Sequence, residues 1–358
     1  MRKSVASVVT ALSLLSLLFS PAGSYAKDTT EKKSDAIAKI EERIASGELK
    51  KASSIVFEIT SDSSSNEVLS IEEIETKQSE VLEEVEQELK SNLGELSEKR
   101  QLEWTNAIKA GKNPYKVVGE VKSSHKINAA AKINKVRVES GYLMDSRNAE
   151  LIIYAEIEDI DGTSPALVSG TATLQYADKR NAKYKDEDDL KFTFKAGRDL
   201  YEGSRKFSDP ISVQYTHFWR NICSTVATWS DGTSMPDYDV GTAYLLNKKA
   251  IEYPVYEDDN SGIVMFEPER ADLPWVPNNQ REPRDNNMRS KYVKWYENRH
   301  GSPDFNWNDV DIHHIIPLSY GGDNSYNNLI PLPEDFHDDE VTPWWRNYGK
   351  YVPQGDDY

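Results

Sequence analysis

Cysteine is almost missing from this 358-residue chain, which holds a single one, Cys223. No internal disulfide can form, so the fold must rest on core packing and metal. Paired CxxC zinc knuckles are excluded for the same reason, and Cys223 itself reads as a small buried hydrophobe. Hydrophobic residues are sparse at 38%, and past the first twenty positions no apolar run is long enough to cross a bilayer. Positive charge falls short as well. Against 60 Asp and Glu stand 43 Lys and Arg, a formal net charge of -17, which suits a soluble chain with solvated helices. Histidine is rare, with six in all, so a local gathering of them carries information.

What is present begins with a leader. Arg2 and Lys3 give a short basic start, Val5 to Phe19 is almost uninterruptedly apolar, and Pro21 breaks the run. Ser24-Tyr25-Ala26 then supplies small residues where a signal peptidase reads. Residues 1–26 therefore read as a secretory signal peptide cleaved after Ala26, with an uncleaved anchor as the alternative. The expectation is a secreted protein with no transmembrane segment in its mature chain.

Residues 27–115 are Glu/Lys-rich and read as a charged helical region. Ile37, Ile40 and Ile44 fit one apolar stripe, and Ile71, Ile74, Val81, Val85, Leu89 and Leu93 a second. Ser61 to Asn66 is a polar break between them, and Gly111, Asn113 and Pro114 end the second stretch. These helices could pair with each other, with the following domain or with another chain, or serve as a solvated spacer. Residues 116–256 are β-rich. Val136–Val138, Glu150–Ala155, Thr171–Tyr176, Lys191–Phe194 and Ile211–Tyr215 are β-branched and aromatic, with Asp161-Gly162 and Asp231-Gly232 as turn signals. An antiparallel, sandwich-like domain is expected. It shows no catalytic constellation, and His217, beside Phe218 and Trp219, reads as a packed strand histidine. Residues 257–285, with Pro268, Pro274, Pro277 and Pro283, read as a linker, and 351–358 as a tail.

Chemistry concentrates at the far end. Asp311-Ile312-His313-His314-Ile315-Ile316-Pro317 is followed by Gly321-Gly322, Asn324, Asn327-Asn328-Leu329-Ile330-Pro331-Leu332 and Phe336-His337. Vicinal histidines at a strand end, a Gly-Gly turn and a third histidine on a helix describe a compact β-turn-β-helix unit. In such a unit side chains from the strand and the helix can meet on one metal ion.

This segment resembles the HNH endonuclease family, whose core is a ββα-metal fold, over residues 286–350. Tyr292, Trp295, Tyr296 and Trp307 resemble what precedes the motif in secreted bacterial members. The resemblance implies an α+β multidomain chain with a C-terminal HNH nuclease domain. His314 matches the general base, whose neutral form is available at ordinary pH. His313 and His337 match the metal ligands. Asn328 matches the middle letter of the motif, where it ties the loop backbone together and holds His314. Asp311, two residues before His313, is either a partner to a ligand or an extra ligand. Colicin-type DNases carry one more histidine four residues beyond the helix one. Val341 stands there instead, with Asp338 and Glu340 nearby as helpers. An open site with few nitrogen ligands favours Mg²⁺ or Mn²⁺ as the one divalent ion, with Zn²⁺ or Ni²⁺ as alternatives. Trp344 and Trp345 are expected to pack under the terminal helix, and His300 to end the helix before the motif.

The acidic total is at odds with a phosphate-rich substrate, but the charge is uneven. Arg281, Arg284, Arg289, Lys291, Lys294 and Arg299 precede the motif, and Arg346 and Lys350 follow it. Arg284, Lys291 and Lys294 are expected to form a phosphate-binding strip on one helix. DNA cut with low sequence preference, to 5′-phosphate and 3′-hydroxyl ends, is the expected substrate, with RNA as a second class. Two alternatives of another kind are a secreted toxin or surface interaction protein with the HNH unit as payload, matched by an inhibitor or immunity protein, and a metal-stabilised binding module.

Overall fold

The computed structural model describes residues 35–62, 68–110, 112, 114, 121–122 and 134–349. The expected leader, its cleavage site, the tail and Lys350 lie outside the described residues. The chain divides into two compact units, 1–48 and 49–358. In the first, α1 spans 35–45, and its Ile37, Ile40 and Ile44 recur at helical spacing as expected. It ends in a turn where Arg43 Nε meets Glu48 Oε2 at 3.2 Å.

The second unit opens on a correction. Lys50–Ser61 is strand β1, not part of a helical region. Within it Ile55-Val56-Phe57-Glu58-Ile59 is β-branched and aromatic, and four of these five side chains are buried. It is followed by α2 (Ile71–Lys109), which starts on a capping box: Glu73 N donates to Ser70 Oγ at 3.3 Å, and Ser70 N to Glu73 Oε2 at 2.9 Å. Strands β2 (Val121–Lys122), β3 (Asn134–Asp145), β4 (Glu150–Asp161), β5 (Leu167–Ala177) and β6 (Lys185–Lys195) come next. Then come β7 (Arg205–Phe207), β8 (Ile211–Ser212), β9 (His217–Thr228), β10 (Ser234–Val240) and β11 (Tyr244–Leu246). They build two sheets. One runs β2-β1-β3-β4-β7, with β8 on β4; the other runs β10-β9-β5-β6, with β11 on β9.

Pairing is antiparallel except for β1 with β2. Phe57, Val138, Tyr142, Ile153 and Ala155 of the first sheet and Val168, Leu174, Phe194, Cys223 and Ala227 of the second share a single core, so the two sheets pack on each other. Gly170 is required there, because a Cβ would lie 2.3 Å from the Phe192 ring and 2.4 Å from Ser224 O. Cys223 is buried, and burial pushes its thiol up to about 12. His217 is packed among Tyr176, Tyr215 and Trp219, with Nδ1 3.0 Å from Asp178.

Helix α2 lies on the second sheet. Ile74, Gln78, Val85 and Leu89 are buried, four or seven residues apart, and Gln78 Nε2 donates to Val226 O at 2.7 Å. Of the options left open for it, α2 takes packing on the β-rich domain.

The stretch 257–285 is no free linker. Strands β12 (Tyr256–Asp258) and β13 (Ile263–Met265) form a hairpin, and Met265 and Ala271 are buried. They belong to a second core that joins Phe218, Leu245 and Tyr253 to Ile330, Leu332, Val341, Trp344 and Trp345. The motif-bearing end and the sandwich are thus packed as one body. Among the described residues no helix is long and apolar enough to cross a membrane.

Glu252 sits at this seam. Burial, with Glu267 nearby, raises its carboxyl to about 7. The folded state therefore prefers the neutral form. Its contribution is intact below the usual carboxylate range and is lost as pH climbs from about 4.5 to 7. Glu252→Gln should stabilise the protein at pH 8, by about 3 kcal/mol at most, and should do little at pH 4. Denaturant melts of both proteins at the two pH values check this; an equal effect at both would refute it.

Candidate active site

Helix α3 (Met288–His300) leads into the site. Tyr292 and Tyr296 are fully buried with Leu329, and Trp295, Phe305, Trp307, Ile312 and Tyr326 pack around them. Tyr292 Oη donates to Leu329 O at 3.2 Å, and Tyr296 Oη to Asp258 Oδ2 at 2.5 Å, which fixes α3 to the β12–β13 hairpin. Arg289 donates to Trp307 O and, at 3.1 Å, to Val310 O, so it ties α3 to the start of the motif. Arg281 is likewise engaged, with Val276 O at 2.8 Å and the Trp275 ring.

The unit itself is a two-stranded antiparallel sheet, β14 (Val310–His314) and β15 (Leu329–Pro333), with His313 opposite Ile330 and His314 opposite Leu329. A continuous helical stretch follows: Glu334–Phe336, one π turn over His337–Val341, and Thr342–Arg346. Thr342 N–H reaches back to His337 O across that wider turn. His337 therefore stands at its start.

The loop between the strands is held by Asn328. Its Oδ1 accepts from Ile316 N at 2.9 Å, and its Nδ2 donates to Ile316 O at 3.0 Å and Asp323 O at 2.9 Å. The Gly-Gly turn is needed for this closeness. Gly321 has φ +86°, and a Cβ on Gly322 would lie 1.7 Å from Ile316 O and 2.8 Å from Asn328 Nδ2. Asn328→Ala leaves three backbone groups without their partner, so a stability loss of roughly 1–3 kcal/mol is expected. Cleavage should also slow about tenfold or more at equal folded fraction, through His314 losing its support. Thermal melts and initial rates measure the two effects, and unchanged rates would refute the positioning.

His314 is half-buried, with Nε2 3.0 Å from Asn324 Oδ1. Asn324 Nδ2 already donates to Glu282 Oε1 at 2.8 Å and to Pro283 O at 2.9 Å. Both amide hydrogens are used, so Oδ1 is the acceptor and His314 Nε2 carries its proton. The lone pair is left on Nδ1. Burial lowers the His314 pKa, the Asn324 hydrogen bond opposes that, and the nearby Arg284 guanidinium adds to the lowering. A neutral imidazole is the form that can accept a proton.

The metal candidates come together. His337 Nδ1 is 3.2 Å from Asp311 Oδ2 and 3.0 Å from Asp338 Oδ1, and ligand atoms of the three lie within 4.8 Å of one another. His313 is outside that trio, but its ring centroid is 5.1 Å from that of His337. His313 Nε2 is buried and has no hydrogen-bond partner, and burial, then His337 and His314, push its pKa down to about 3. A neutral, unpartnered imidazole nitrogen beside an Asp/His/Asp group fits a divalent cation, and two carboxylates suit a hard one.

The basic strip is different from the expected one. Arg284 lies in the extended segment before α3, where it is exposed and within electrostatic reach of His314. Lys291 and Lys294 are exposed on α3, and Lys291 is paired with Asp285 at 2.5 Å. The three do not share one helix. Trp344 and Trp345 are fully buried, but they lie on the terminal helical segment itself and not beneath it, and His300 closes α3 against Trp295 and Tyr296.

Residues 303–335 match the HNH endonuclease family. The match supports a nuclease and covers the hairpin, both vicinal histidines and Asn328, ending two residues before His337. It is shorter than the 286–350 suggested by sequence resemblance. No curated protein and no solved structure matches the chain. The HNH segment also uses two residues to which the sequence reading gave no role, Asn324 and Glu282. Asn324 stands in the motif without a task, and Glu282 lies between Arg281 and Arg284 in the basic stretch before it.

Proposed function

We propose that this protein is a secreted, metal-dependent HNH endonuclease that hydrolyses DNA with little sequence preference. The observation that carries it is the buried, unpartnered His313 Nε2 beside the Asp311, His337 and Asp338 donors, one strand position from an imidazole whose free lone pair is on Nδ1.

His313, His337 and Asp311 would hold the cation, with Asp338 helping. When bound, Mg²⁺ or Mn²⁺ supplies a Lewis acid that polarises the scissile phosphate and stabilises charge on the leaving 3′ oxygen. His314 takes the proton of the attacking water at Nδ1. Asn324 holds the ring through Nε2–H, and Asn328 fixes the loop that carries both. Arg284 offsets phosphate charge near His314. Water attack leaves a 5′-phosphate and a 3′-hydroxyl. Binding to an acidic chain through few cations should be weak and fall with salt. Export rests on the Val5 to Phe19 run and the Ala26 site, and intact mass of protein from the medium should start at Lys27.

The test is plasmid cleavage by residues 27–358. Activity should vanish in EDTA and return with Mg²⁺ or Mn²⁺. Full nicking in EDTA would remove the metal from the mechanism, and preference for an RNA duplex or strand would change the substrate.

A further inference from the structure

A cavity of about 360 Å³ lies between the C-terminal half of α2 and the second sheet, within the size range of small-molecule sites. None of its lining residues belongs to the HNH segment. Three arginines reach it, and two are neutralised. Arg100 pairs with Asp239 and Glu103 at 2.9 Å, and Arg180 pairs with Glu267 while covering the Trp104 ring at 3.5 Å.

Arg220 is different. It is only 5% exposed, yet among the described residues no carboxylate pairs with it. Its Nε donates to Gln175 Oε1 and one terminal nitrogen to Ser97 Oγ, both at 2.9 Å, and its plane lies 3.9 Å over the Tyr184 ring. The nearest acidic help is relayed: Gln175 Nε2 donates to Asp186 Oδ1 at 2.6 Å. Burial has even lowered its pKa to about 10. Burying a guanidinium without a counter-ion is expensive, and this one lines an open cavity. Around it the walls are apolar: Ala182, Ala243, Trp104, Tyr184 and Leu102, the last 60% exposed. Glu98 is the one unpaired acid on the wall, and it is exposed.

We propose that this cavity binds a small organic oxyanion, a carboxylate or phosphate monoester on a flat apolar body. The oxyanion would pair with Arg220 and the body would lie against the Ala182–Leu102 wall. The site is separate from the nuclease centre and does not depend on it.

Calorimetric titration of the full chain, with His314→Ala and EDTA to silence the nuclease centre, tests it with three probes. 5′-AMP carries both features, adenosine lacks the anion, and inorganic phosphate lacks the ring. 5′-AMP should bind at least tenfold more tightly than either. Arg220→Met should remove that preference, and Ala182→Trp, which fills the mouth from an exposed position, should abolish binding with Arg220 intact. Absence of 5′-AMP binding, or binding unchanged by Ala182→Trp, overturns the proposal. Should Arg220→Met fail to fold, Ala182→Trp decides alone.

Discussion

His314→Ala should slow plasmid cleavage by about 10³-fold, the usual worth of a positioned general base, while the melting temperature stays near that of the parent. The ring is half-buried and touches the fold chiefly through Asn324, so its loss removes little packing. The effect must also be chemical and not a loss of metal. Metal affinity, read by Mn²⁺ titration, should be unchanged in His314→Ala and reduced in His337→Ala, whose Nδ1 is the atom shared by Asp311 and Asp338. Equal cleavage by the parent and His314→Ala would end the assignment. Equal metal affinity in the parent and His337→Ala would end that of the cradle.

A second large effect is expected far from the chemistry. Trp344→Ala should cost about 3–5 kcal/mol, the range for emptying a large aromatic site. Its ring is fully buried, 4.8 Å from that of Tyr253, and Nε1 donates to Ile251 O at 3.0 Å. Those partners belong to the segment after the sandwich, so the loss should lower the melting temperature of the whole second unit, on the order of 10 °C or less. Differential scanning calorimetry would show one transition moving. A sandwich transition left in place while nuclease activity melts early would mean that the two parts do not share a core.

Legibility in the sequence followed the range of the interaction. The vicinal histidines, Asn328 and His337 stand out in the sequence through their spacing, and strands β3, β4 and β5 through the β-branched and aromatic runs Val136–Val138, Glu150–Ala155 and Thr171–Tyr176. Strand β1 was hidden by its setting: a Glu/Lys-rich stretch on either side made a β-branched run look like part of a helical region. β12 and β13 are three residues each, too short to show a period, and proline-rich sequence around them read as linker. The Glu282–Asn324–His314 chain spans 42 positions, and no local pattern announces a contact of that range. Arg284 lies within electrostatic reach of His314, but in the segment before α3 and not on the helix that its spacing to Lys291 and Lys294 suggests. Lys291 was named for phosphate, but its salt bridge to Asp285 depends on a turn that charge counting does not reveal.

The wider turn at His337 sets a phase. One residue added to an α-helix rotates everything beyond it by about 100°. In an unbroken α-helix, positions 337, 341 and 344 would fall along a common stripe, and the imidazole would compete with Val341 and Trp344 for the same direction. With the extra residue in place, His337 meets Asp311 and Asp338 while Val341, Trp344 and Trp345 are buried. Removing one residue from that turn would rotate Trp344 and Trp345 by about 100° relative to His337.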